Sequence, residues 1–509
     1  MFKSYLISGH RSGVHTSHVR VAPFSKRTMA STWLTFVLGA LAILVVYLIN
    51  KYSYWKRRGV PTAKGWIPWL GHFLPVLTLR LNAMQLLQNV YTDAKNYSMI
   101  GFYIMTTPAL LVREPQLVKT IMQNNFSSFH ENTTKIHPDL DPLAARNPFF
   151  NSGEAWAKGR KRLTYAFSSG RLKMLFVAVH GVCKKLEDFL ERRLKSNNTY
   201  EVELKSLFSR FTGEVVANAG FGMEGFCFED KPHPESFDRI GTSILEPTLL
   251  NAIANTIIFF VPSLSKILRI SFLPKRVDKW IRRVVSENLE LRLKSATPRN
   301  DFLQVMINLE KAEGEALDEE VLASDSLSFF LDGFETSSIT LSFVVYQLAA
   351  HQDVQQRLRE EVLSIIAKHD GTLTYDALKE MTYMDQVINE SQRIYPAAGV
   401  LTKKCTEEFE LQGSDGLCCR VEPGTEIHLP LAALQVDPKY WPDPEVFDPD
   451  RFDNDRKQNI EKMTFFPFGE GPRMCVGMKI ALLQMKACLA TLMRGYKLEL
   501  SSKTQLPLK

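Results

Sequence analysis

The stretch TFFPFGEGPRMCVGMKIALLQMKACLATL, residues 464–492, decides how the rest of the chain is read. Cys475 lies at its centre. Ahead of it runs a loop punctuated by Phe468, Gly469, Gly471 and Pro472, and behind it a helical pattern without a breaker extends over residues 476–493. A cysteine at such a junction meets the free amides of a first helical turn and the positive end of the helix dipole, and both favour a thiolate. Arg473 offers a second positive charge on the same loop. The glycines allow the backbone to pass close to a flat, bulky group.

Two readings compete for Cys475. One is a buried structural cysteine, because free cysteine is among the most buried residues. The other is a metal ligand. Zinc spacing is missing, since no second cysteine or histidine lies close by in the sequence. A single thiolate on a loop with an aromatic residue and an arginine suits one axial ligand of a haem. The string FGEGPRMCVG fills every fixed position of FGxGxRxCxG with Phe468, Gly469, Gly471, Arg473, Cys475 and Gly477. It resembles the haem-thiolate loop of the cytochromes P450. The resemblance implies a mainly α fold with small β-sheets (α+β), haem b (iron protoporphyrin IX), Cys475 on the iron and Arg473 on a propionate. It also implies a thiolate that pushes electron density towards O–O cleavage.

The chain of 509 residues is 45% apolar, enough for a large core. Its seven cysteines are scattered without a disulfide framework, which points to a reducing compartment. The net charge of +7 is local. Residues 1–92 hold eleven Lys and Arg and no acid, which leaves 51 basic against 55 acidic residues elsewhere. A nucleic-acid surface is therefore not expected.

Residues 30–49 are apolar and uncharged, and at ~1.5 Å per residue they reach ~30 Å, one hydrocarbon core. Trp33, Tyr47, Tyr52, Tyr54 and Trp55 flank the run as interface anchors would, and Lys51, Lys56, Arg57 and Arg58 follow as cytoplasmic charges. The predicted order is a basic extension over 1–28, a transmembrane anchor over 29–50, a proline/glycine hinge over 51–75 and a haem-thiolate catalytic domain over 76–509. Residues 1–28 are basic, serine-bearing and free of acids, as a mitochondrial presequence would be. An alternative or misassigned start is the competing reading, since Met29 directly precedes the span. The end at KTQLPLK is shorter than the resemblance leads one to expect, which reads as an imperfectly assigned gene and leaves pocket closure open.

The body reads as mainly helical, with strand-like pieces at 99–106, 109–112 and 408–411. Residues 151–176 carry Trp156 and Arg160 on one helix face. By the resemblance both bind a haem propionate, and Lys158, Lys161, Arg162, Arg171 and Lys173 form a basic patch for an acidic electron donor. Tyr165 stands where the family has proline. Residues 244–270 are apolar and broken by Pro247 and Pro262, and fit either core or a loop dipping into a membrane surface. Residues 318–351 form a run of 34 residues, apolar almost all round, that nevertheless contains DGFETSS. Gly333 and Glu335 are costly in a buried helix interior, and such violations are expected at functional sites. By the resemblance, Glu335 and Thr336 relay protons and Gly333 opens space for dioxygen, while Asp332 replaces the usual Ala or Gly with no role assigned. Residues 383–395 pair Glu390 with Arg393, and the resemblance adds Arg451 to form a structural lock.

The resemblance, closest to microsomal members from insects, implies a monooxygenase that inserts one atom of dioxygen into a lipophilic small molecule. Its partners would be the membrane, an NADPH-dependent flavoprotein reductase and cytochrome b5. Its place would be the endoplasmic reticulum membrane with the catalytic domain on the cytoplasmic face, or the mitochondrion if residues 1–28 are a presequence. Pocket positions would come from 129–150, 328–336 and 397–401. Two further classes stay open: a haem-thiolate isomerase or dehydratase that does not use dioxygen, and a non-catalytic haem-binding protein.

Overall fold

The computed structural model describes residues 26–195, 198–246, 248–295, 299–314 and 316–505. Most of the basic extension, Pro247 and the last four residues lie outside the described residues, and so do the readings made on them. The chain divides into two units, residues 1–53 and 54–509.

In the first unit, one helix spans Lys26–Tyr52. Its segment Trp33–Tyr52 is apolar and almost wholly unburied, with Trp33, Phe36 and Ile43 largely exposed; only Tyr52 at its end is buried, against the expectation of an interface anchor. At ~1.5 Å per residue this is long enough to cross a hydrocarbon core.

The second unit is built on the helix Glu319–Ala350. Asp318 caps it by accepting the amides of Glu320 (2.8 Å) and Val321 (3.2 Å), and Glu319 and Glu320 complement its dipole. With no proline and an apolar surface on nearly every side, it runs through the core. It packs against Leu204–Val215, Lys275–Lys294, Thr382–Ile394 and Met478–Gly495. Burial of Leu322, Leu327, Phe330, Phe334, Leu341 and Val344 holds it there, each worth roughly 1.5–3 kcal/mol.

Beside the helices lies a four-stranded sheet in the order β1-β2-β6-β3. β1 (Met99–Ile104) and β2 (Thr107–Val112) form a hairpin that pairs Met99 with Val112 and Ile104 with Thr107. β6 (Glu426–Leu429) runs parallel to β2, and β3 (Leu401–Lys404) is antiparallel to β6. A separate ribbon joins β4 (Phe409–Gln412) to β5 (Cys418–Val421). The apolar run of β1 made it legible; LTKK, CCRV and EIHL carry no such signal.

Two further sequence expectations are corrected here. Trp55 is not an interface anchor. It is fully buried and donates from Nε1 to the Phe102 carbonyl at 3.1 Å. Gly101 makes room for it, since a Cβ there would lie 2.2 Å from the indole ring. The stretch 151–176 falls on two helices, Gly153–Ala166, which carries both Trp156 and Arg160, and Ser169–Leu194. Ser168 turns extended between them (ψ 154°) and Arg171 folds back over Tyr165, its guanidinium 3.6 Å from the ring centre. Arg162 does not belong to a surface patch. It is buried and bound to Asp325 (2.7 Å) and Glu310 (3.0 Å), which ties the Gly153–Ala166 helix to the long helix. Lys158 and Lys161 remain exposed.

Thr382–Ile394 carries the expected lock. Glu390 and Arg393 are both fully buried, with Arg393 Nε 2.7 Å and Nη2 2.8 Å from the carboxylate. Arg393 also donates to the carbonyls of Gln435 and Pro444. Arg451 stands 3.3 Å from Glu390, but its Nε makes no hydrogen bond and its Nη2 goes to the Asp443 carbonyl. Arg451 is thus the loosest of the three.

Candidate functional site

The cysteine loop is shaped by its own backbone. Gly469 and Gly471 have φ of +70° and +73°. Gly471 also passes so close to Met122 that a Cβ would lie 1.9 Å from its carbonyl oxygen. The loop closes on itself where the Cys475 amide donates to the Phe468 carbonyl at 2.8 Å. Gly477 then caps the helix Met478–Gly495.

Cys475 is exposed, yet burial is the strongest influence on its thiol. Both hold when the surface it shows is the wall of an enclosed cavity. Burial and the Asp332 carboxylate push the thiol pKa up, and the amides of Gly477 and Met478 and the Arg160 guanidinium pull it down, with burial prevailing. The helix start thus acts as the sequence suggests but does not by itself ionise the sulfur. The nearby positive charge is Arg160, not Arg473. A bound cation would reverse the balance, because a coordinating thiol is deprotonated by the metal's own charge.

Opposite Cys475, the long helix presents Asp332 and Thr336, four residues apart on one face and both exposed. Thr336 Oγ1 donates to the Asp332 carbonyl at 2.6 Å. A Cβ on Gly333 would meet nothing nearer than Val216 at 3.8 Å, so packing within the chain does not require glycine there. Gln484 ties the two walls, donating to the Gly333 carbonyl (3.2 Å) and to Ser337 Oγ (2.8 Å). Glu335 turns to another side and pairs with Lys205 at 2.9 Å, which supplies the partner its position requires.

The segment 146–151 links the walls. Asn147 Nδ2 donates to Asp332 Oδ2 at 3.0 Å, and Arg473 donates to the carbonyls of Pro148 and Asn151, both at 2.9 Å. Arg473 lies 4.5 Å over the Trp156 ring, and Arg160 donates to the Met474 carbonyl. Trp156 and Arg160 are therefore brought to the loop, as the sequence suggests.

Lys403 on β3 was missed. It is buried, donates to Asn132 Oδ1 at 2.9 Å and sits close enough to Arg473 to feel its charge. Burial, then Arg473, lowers its pKa to about 7, and burial lowers that of Arg473 to about 10. Among the described residues none of Arg160, Arg473 and Lys403 pairs with a carboxylate, and the buried Arg473 Nε has no partner at all. Buried cations without counter-charge are costly, so this cradle calls for anions. An iron porphyrin bearing two propionates, with a thiol facing its metal and a glycine opening the opposite wall, fits these residues.

A pH dependence follows. The folded pKa of Lys403, about 7, lies below its ordinary 10.5, so the folded chain binds fewer protons than the unfolded one between those values. Stability of the haem-free protein should rise with pH over that window. Lys403→Met should remove this contribution, and haem loading should flatten it by placing an anion beside the amine. Urea midpoints at neutral and alkaline pH check it; an unchanged pH slope in the variant would refute the assignment.

The family model described as Cytochrome P450 matches residues 61–509. The chain is 33% identical over 465 residues to cytochrome P450 6j1 of Blattella germanica, with 91% of each chain covered. It is 35% identical over 483 residues to probable cytochrome P450 6a13 of Drosophila melanogaster, with 94% of each covered. With cytochrome P450 9e2 of Blattella germanica it shares 30% over 512 residues, 95% of each.

Proposed function

The chain belongs to the cytochrome P450 family, and on that premise we propose how its own residues carry the reaction and what they act on. It is a haem-thiolate monooxygenase with haem b as its cofactor. When bound, the haem supplies the redox-active iron at which dioxygen is activated. Cys475 would supply the thiolate that holds the iron, and Phe468, Gly469, Gly471 and Gly477 give its loop the shape that presents the sulfur. Trp156, Arg160, Arg473 and Lys403 would hold the propionates. Gly333 leaves the space for dioxygen and Thr336 holds and passes a proton at Oγ1; Glu335, expected to share the relay, is turned to another side and paired with Lys205. Glu390, Arg393 and Arg451 are structural. The observation that carries this reading is a thiol with open surface beside the buried Lys403 and the half-buried Arg160 and Arg473, none of which pairs with a carboxylate among the described residues.

Electrons come from an NADPH-dependent flavoprotein reductase, with cytochrome b5 as a second donor. The exposed Lys158 and Lys161 supply a positive surface for an acidic partner. The substrate is a lipophilic small molecule. The site of action is the endoplasmic reticulum membrane, with the catalytic unit on its cytoplasmic face. The apolar helix Trp33–Tyr52 supports that placement. So do exposed Trp69, Leu79, Leu250 and Ile267 on the catalytic unit, on segments that meet where the rings of Phe73 and Phe260 pack at a tilt, 5.1 Å apart.

The reduced protein with carbon monoxide tests the assignment: the long-wavelength Soret band of thiolate ligation is expected, and its absence from haem-loaded protein would overturn it. Thr336→Ala should keep that band yet lower product formed per NADPH on the order of tenfold, the reducing equivalents appearing as peroxide or water. Unchanged coupling would take the proton from Thr336.

A further inference from the structure

Asp332 is the unusual group of the cavity. It lies on the same helix face as Thr336 and is exposed only to enclosed space, because burial dominates its carboxyl and pushes the pKa up to about 6. One oxygen, Oδ2, accepts from Asn147. Among the described residues no cation pairs with it; its neighbours are the neutral amide of Asn147 and the Cys475 thiol. The nearest basic residue on the linking segment, Arg146, acts on Asp325 instead. Lys205, the cation that reaches this part of the long helix, is engaged by Glu335.

A carboxylate inside a protein is retained at a cost unless something compensates it. Asn147 alone does not: a neutral amide orients the group without neutralising it. Asn147 is itself held, since its Oδ1 accepts the Phe149 amide at 2.7 Å. The carboxylate is therefore fixed through Oδ2, and among the described residues no hydrogen bond engages Oδ1 on this exposed side chain. A structural tie to Asn147 would be served equally by a neutral side chain. The charge is what needs an explanation, and among the described residues no cation pairs with it.

We propose that Asp332 makes this cavity selective for lipophilic amines: the cationic nitrogen of the substrate sits against the carboxylate while its apolar part fills the remaining space. This rests on the haem-thiolate reading of the same cavity and adds the class of substrate to it. The cation restores the charge balance that the protein lacks. It also anchors one end of the molecule, so that the carbon presented for oxidation is set by its distance from the nitrogen.

The test is equilibrium dialysis of the haem-loaded protein with (phenylpropyl)trimethylammonium, which has no lone pair and cannot ligate iron. The comparison probes are phenylpropyl sulfonate and the uncharged isostere carrying a tert-butyl group. The unsubstituted protein should bind the ammonium at least about tenfold more tightly than the sulfonate. Asp332→Asn, which keeps an acceptor for Asn147, should erase that ratio and leave the uncharged isostere within about twofold of its original affinity. Asp332→Glu should restore part of the preference. Equal binding of ammonium and sulfonate by the unsubstituted protein, or a ratio that survives Asp332→Asn, would overturn the proposal. The carbon monoxide band of the same sample separates the two failures. A thiolate band without charge preference overturns the amine proposal alone, whereas haem-loaded protein without the band overturns the reading beneath it.

Discussion

Cys475→Ala should abolish monooxygenation and the long-wavelength carbon monoxide band while leaving a folded protein. The loss is expected to be complete, because no other thiol can take its place. Cys183, Cys227, Cys405, Cys419 and Cys488 are buried in the packing, and Cys418 lies exposed on β5 in the separate ribbon. Folding should survive because the thiol sits against its own burial penalty, and alanine removes a desolvated polar group that the apoprotein does not need. Haem should still enter, more weakly, since Arg160, Arg473 and Lys403 are untouched. The expected spectrum is then that of haem with a neutral ligand. A thiolate band retained in this variant would move the ligand elsewhere, and thermal melts by circular dichroism would show whether lost activity is only lost structure.

Glu390→Ala should act in the opposite way, through stability alone. Glu390 is fully buried and accepts from Arg393 twice and from the Asp448 amide at 3.0 Å. Its removal strands the Arg393 guanidinium, also fully buried, with only backbone carbonyls. Breaking such a pair costs about 3–5 kcal/mol, a large share of the roughly 5–15 kcal/mol that holds a domain folded. The urea midpoint should fall accordingly, and haem content with it. Arg451→Met should cost less, because Arg451 touches the carboxylate without a hydrogen bond from Nε. Equal losses for the two variants would mean that the lock is a true three-body unit.

What could be read in advance followed from density and periodicity. The cysteine loop fills a fixed pattern within ten residues, and the long helix announces itself by its cap and its unbroken apolar surface. Trp156 and Arg160 share a helix face by spacing alone. What escaped depends on tertiary placement. Lys403 is one lysine in a polar four-residue strand, and only pairing with β6 buries it beside Arg473. Arg162 was indistinguishable from its neighbours Lys158 and Lys161 until the fold turned it inward to Asp325 and Glu310. Asp332 and Glu335 are both acids of one motif, and nothing in the string says which faces the cavity. The partners that settle it, Asn147 and Lys205, lie 185 and 130 residues away.

Those separations also govern when the site comes into being. Its parts come from residues 147–160, 332–336, 403 and 473–477, and Arg473 reaches back 325 positions to Pro148. At the ribosome the chain emerges at roughly 5–20 residues per second, so the wall bearing Asp332 and Thr336 is made long before the loop that faces it. Until Cys475 has cleared the exit tunnel, the earlier wall has no counterpart and the cradle lacks Arg473. Capture of the cofactor therefore follows synthesis of the Cys475 loop, the last of the site's parts to be made.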